Sequence, residues 1–117
     1  MNNKDIAIIA AKLLDERKAE NILVLDVGLH SSFADYLVIA SGGSERQVGT
    51  LAEDVADRLA KEGVIAKNVE GKKTSGWILI DFGDVIVNVF SREQRDRYNI
   101  EKVWADCPRV DVEFIED

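Results

Sequence analysis

A chain of 117 residues with 46% hydrophobic and 32% charged content has room for one modest core, which excludes two domains, a disordered chain and a membrane protein. Its longest apolar runs, 36–40 and 85–90, fall far below the ~20 residues that span a bilayer, and the Met-Asn-Asn-Lys-Asp start lacks the basic and apolar parts of a signal peptide. A net charge of −7 serves solubility, points away from nucleic acid as the main partner because phosphate binding needs a basic footprint, and favours a basic protein. One cysteine, Cys107, excludes an internal disulfide and fits a reducing cytoplasm.

Residues 3–19 predict an amphipathic helix, with Ile6, Ile9, Ala10, Leu13 and Leu14 at three- and four-residue spacing. Asn21 breaks that pattern. Ile22 to Val27 is a short branched apolar run and predicts a buried strand; Gly28 to Ser32 is a turn. Asp35 to Ser41 predicts a second buried strand, ending in Gly42-Gly43. Ser44-Glu45-Arg46-Gln47 has the form of a capping box, and the helix after it buries Val48, Leu51, Ala52, Val55 and Leu59. Gly63 stands where a left-handed cap would stop that helix.

Val64 to Val69 predicts a strand nearer an edge, since Lys67 and Asn68 interrupt it. Gly71 to Gly76 reads as a loop. Trp77 to Phe82 and Val85 to Phe90 predict an antiparallel hairpin across Gly83-Asp84. Arg92 to Tyr98 is helix-compatible, Ile100 to Trp104 adds a helical turn, and Pro108 closes regular structure. Val110 to Ile115 reads as either a strand or a frayed acidic tail. The order predicts one α/β domain over 1–117, with helices flanking a mixed sheet of about five strands, a compact core at 1–106 and an extension at 107–117.

Few residues offer catalysis. The Ser-Gly-Gly-Ser run at 41–44 lies between a strand and a helix, where backbone amides can hold a phosphate. It lacks the lysine of a P-loop and the spaced glycines of a dinucleotide fingerprint, so a tight turn with a serine cap explains it better. The run is reminiscent of nucleotidyltransferases, but the strand 64–70 carries no Asp-x-Asp pair to share a metal ion. Asp81 and Asp84 flank a turn and serve its backbone. His30 in a loop and Cys107 beside Pro108 make feeble evidence for a catalytic pair, and no cluster suggests zinc. The expectation is a non-enzymatic protein without a cofactor; the alternative is a nucleotide-binding or nucleotidyltransferase-like enzyme using the Gly42-Gly43-Ser44 turn.

Binding is better signalled. On a strand, Ile78, Ile80 and Phe82 share one face and Trp77, Leu79 and Asp81 the other. If the first set meets the helices, Trp77 and Leu79 form an apolar patch beside a carboxylate, the makings of an interaction site. Trp77 covering the edge of the core is the competing explanation.

Three segments carry a resemblance. They are Ser32-Phe33-Ala34-Asp35-Tyr36-Leu37-Val38-Ile39-Ala40-Ser41-Gly42 with Ser44-Glu45-Arg46-Gln47-Val48; Glu70-Gly71 with Trp77-Ile78-Leu79-Ile80-Asp81-Phe82-Gly83-Asp84-Val85-Ile86-Val87; and Arg95 with Tyr98-Asn99-Ile100-Glu101-Lys102-Val103-Trp104. In order and spacing they resemble the ribosomal silencing factor family, also called iojap-like, over residues 3–106. The resemblance implies a nucleotidyltransferase-like fold without transferase activity, often a homodimer; a cytoplasmic location is expected because no transit segment is visible. The resemblance also implies docking on the large ribosomal subunit through large-subunit ribosomal protein number fourteen, which blocks joining to the small subunit. Trp77 and Leu79 would then supply apolar contact, and Glu70, Asp81 and Asp84 would complement basic residues. The family commonly has a histidine where this chain has Asn88, which hydrogen-bonds but does not charge near neutral pH.

Overall fold

In the computed structural model, which describes residues 1–114, the first helix starts where the chain supplies a cap. The Asn2 side chain accepts from the Asp5 backbone N–H at 2.8 Å, and the Asp5 carboxylate returns to the Asn2 N–H. Helix α1 (Asn3–Glu16) stops short of the expected residue 19, because Lys18 turns to φ 66°. Asn21, at φ 50°, does not end a helix. It sits where the register of β1 (Glu20–Asp26) shifts against its neighbour, so its break in pattern is a bulge inside a strand.

Strand β2 (Tyr36–Gly42) follows the loop, and helix α2 (Glu45–Lys61) starts at the Ser44 cap. Half of the expected capping box forms. Ser44 Oγ accepts from the Gln47 N–H at 3.1 Å, while the Gln47 side chain accepts from Gly43 instead of returning to Ser44. Ser44→Ala should lower unfolding free energy by about 1 kcal/mol, the usual worth of a lost N-cap, as measured by denaturant titration; an unchanged midpoint would show that Gln47 caps the helix alone. At the far end Gly63 takes the left-handed conformation (φ 84°), and the Val64 N–H reaches back to the Leu59 carbonyl at 2.8 Å.

That bond explains a misplaced strand. Val64 closes the helix end, so 64–67 is not a strand; β3 is Asn68–Lys72, which keeps the last two residues of the expected strand and runs on into the expected loop. A 3-10 turn (Lys73–Ser75) leads into β4 (Trp77–Asp81), the hairpin turn and β5 (Val85–Ser91). Helix α3 (Arg92–Tyr98) ends at Asn99 in a left-handed cap, and a further 3-10 turn covers Ile100–Lys102. The expected strand at 110–115 is reduced to a bridge between Arg109 and Leu25, with Pro108 and Val110 hydrogen-bonded along β1; residue 115 lies outside the described residues.

The sheet is five-stranded and mixed, in the order β1-β2-β5-β4-β3, with only β2 and β5 parallel. The two central strands are buried on both faces, hence their continuous apolar sequences. Val38, Ala40, Ile78, Ile80, Val85, Val87 and Val89 meet α1 and α2 on the first face. Leu25, Leu37, Ile39, Ile86, Phe90 and Cys107 form a second cluster on the other. At the start of β2, burial and then the nearby Asp26 and Asp35 carboxylates push the Tyr36 phenol above its ordinary value of 10.0. A raised folded value keeps its full stabilising effect below that pH and loses it as pH rises through it. The gap in stability between native protein and Tyr36→Phe should therefore change between about pH 9 and about pH 11, and a constant gap in denaturant midpoints would disprove the coupling.

Candidate functional site

The second face of the sheet is only half covered. Helix α3 packs against β5 and β2, and Ile100, Trp104 and Cys107 close over the cluster beneath. Beyond them, on β4 and β3, the face is open. Alternation along β4 sends Ile78 and Ile80 to the helices, so Trp77 and Leu79 must turn to this open side, and both remain partly exposed.

Trp77 is held from three directions. Its ring stacks on Phe90 (centroids 4.8 Å apart, 29° between planes) and meets Tyr98 at 4.9 Å and 48°. Its indole N–H donates to Asn88 Oδ1 at 3.0 Å. With Leu79, Glu70, Gly71 and Ser75, Trp77 and Tyr98 line a cleft of about 280 Å³. Tyr98 is 50% exposed, so the cleft presents two aromatic rings to solvent beside a carboxylate. Gly71 makes this arrangement possible: at φ 90°, a Cβ there would lie 2.1 Å from the Trp77 carbonyl oxygen. Only glycine lets β3 lie this close and set Glu70 opposite Leu79.

The structure thus brings Glu70, Trp77 and Leu79 together. Asp81 lies further along the same face of β4, half-buried, its carboxylate accepting from the Gly83 N–H at 2.7 Å. Asp84 is not in the cleft. Its carboxylate faces the start of α1, accepting from Asn3 Nδ2 at 3.4 Å, and its carbonyl accepts from the Asp35 and Tyr36 amides. Tyr98 and Phe90 went unnoticed as site residues. A tyrosine closing a charged helix before Asn99 was the available signal for the first; the second needed the β4–β5 register that pairs Phe90 with Trp77.

At two other polar clusters the groups are engaged locally. Around the Gly42-Gly43-Ser44 turn, Gly43 and Gln47 amides already bond to Gln47 and Ser44 side chains. Beside it Arg92 forms a two-pronged pair with Glu20, which holds that carboxyl below its ordinary value. A polar cleft of about 460 Å³ contains the buried Arg95, but its guanidinium bonds to Glu101 and to Ser41 Oγ. Among the described residues, no three His, Cys, Asp or Glu side chains group so as to hold a metal ion, and no helix is long and apolar enough to cross a membrane.

A family model described as ribosomal silencing factor during starvation matches residues 1–117. The chain belongs to the ribosomal silencing factor family. A Bacillus subtilis relative named ribosomal silencing factor is 42% identical over 114 residues, 97% of each chain. A crystal structure of a Chromobacterium violaceum protein matches with a TM-score of 0.86 at 35% identity, covering 90% of this chain and 88% of that one. A mouse relative named mitochondrial assembly of ribosomal large subunit protein 1 is 30% identical over 96 residues, which are 80% of this chain but 42% of the mouse protein.

Proposed function

We propose that the chain docks on the large ribosomal subunit through the Trp77 cleft and blocks joining to the small subunit by occupying its contact face. The observation that carries this reading is Trp77 itself, packed on Phe90 and Tyr98 yet left partly exposed on the uncovered half of the sheet. Aromatic anchors of this kind dominate the energetics of protein interfaces. The partner surface is large-subunit ribosomal protein number fourteen, as the family resemblance implies. A basic partner suits a chain of net charge −7, with Glu70 at the cleft and Asp81 on the same strand face. The name of the mouse relative supports the large subunit as target.

Such inhibition is steric and uses no catalysis and no cofactor. It takes place in the cytoplasm, and the free protein pairs as a homodimer. Sucrose-gradient sedimentation with isolated large subunits, followed by small subunits, tests the mechanism. Co-migration with large subunits and absence of joined particles is the expected result. Co-migration with normal joining would overturn the steric block, and absence of co-migration would overturn docking. Sedimentation velocity of the free protein tests the dimer, which a single monomer boundary would refute.

A further inference from the structure

Strand β5 reads Val-Ile-Val-Asn-Val-Phe-Ser, and its one amide is out of place. Asparagine disfavours strands, and a polar side chain is expensive to bury. Asn88 is nonetheless 2% exposed at the centre of the sheet. Its neighbours in register are Ile39 on β2 and Leu79 on β4, and the bond its side chain makes is the one accepted from the Trp77 indole. An indole N–H can only donate, so the amide oxygen must face it, whatever rotamer the amide could otherwise take.

Stacking alone leaves the ring a freedom. Phe90 and Tyr98 fix the plane of the indole, but a stacked ring can slide or turn within its plane at little cost. The hydrogen bond at 3.0 Å removes that freedom. It turns the N–H edge towards Asn88 on β5. We propose that Asn88 is a positioning residue for docking, a neutral acceptor that holds Trp77 in its binding orientation. The role rests on the docking function proposed above. Because the amide does not titrate, the hold is constant near neutral pH. The charged groups on this face of the strands beside it are Glu70 on β3 and Asp81 on β4, and the Arg95–Glu101 pair sits over Ser41 of β2.

The test uses a Trp104→Phe background, which leaves Trp77 as the one tryptophan of the two in the chain. Asn88→Leu keeps the volume and removes the acceptor. Its Trp77 anisotropy should decay faster, and its affinity for large subunits should fall about tenfold, the cost of re-ordering a freed side chain on binding. Asn88→His should dock almost as the parent near about pH 8 and lose affinity towards about pH 6, because an imidazolium has no acceptor. The parent should be flat over that range. An Asn88→Leu protein with cooperative unfolding, parental anisotropy and parental affinity would overturn the proposal. So would an Asn88→His protein equal to Asn88→Leu at every pH. Faster anisotropy decay in a protein whose parent never sediments with large subunits would overturn docking and keep the positioning of Trp77.

Discussion

Trp77→Ala should weaken binding to large ribosomal subunits by a factor of about 30, an expected loss of ~2 kcal/mol for truncating an interface anchor. The variant should still unfold cooperatively. Its ring lies on the outer side of β4, partly exposed, whereas Ile78 and Ile80 on the other side keep β4 against the helices. What the fold loses is the contact with Phe90 and Tyr98, which is real but peripheral. Trp77→Phe separates the contributions further, since it keeps an aromatic ring and lacks the N–H that meets Asn88. Titration of labelled protein with large subunits gives both affinities. If folded Trp77→Ala binds as the native chain does, the docking face lies elsewhere.

That Trp77 and Leu79 share one face of β4 was legible in the sequence, because a strand has period two; which face meets the helices was not, since Trp77 to Ile80 is apolar throughout. The core was legible in β2 and β5 from continuous apolar runs and in α2 from apolar residues at three- and four-residue spacing. Strand β3 was not. Its residues are all exposed, so no apolar pattern marks it; Gly71 and the register against β4 hold it in place. The apolar Val64 and Ala66 drew the strand too early, although they pack against the core from a connecting segment. Asp84 was grouped with the site by its nearness in sequence to Asp81, but the hairpin turn separates the two, and the Asp84 carboxylate meets α1. Tyr98 comes to Trp77 only because α3 crosses back over β5, a tertiary fact that helix propensity does not encode.

Phe90→Ala should have the largest effect on the fold, and it tests whether core and site are one unit. Phe90 is among the largest fully buried side chains; it is the cross-strand partner of Trp77 and forms the floor under the indole. Removing a buried phenylalanine costs about 3–5 kcal/mol, a large share of the 5–15 kcal/mol that typically separates folded from unfolded states, roughly speaking. A strongly lowered unfolding midpoint is therefore expected, and weaker docking with it. Phe90→Leu discriminates between the two consequences, because it retains most of the volume but no aromatic face for stacking. Its stability should fall by about 1 kcal/mol, within the range for volume-conserving core changes. Measured well below its unfolding transition, its affinity for large subunits should still fall severalfold, since the indole then has Tyr98 and Asn88 to hold it but no flat support beneath. Docking equal to that of the native chain would show that stacking on Phe90 serves the core alone and that Trp77 is ordered only on meeting its partner.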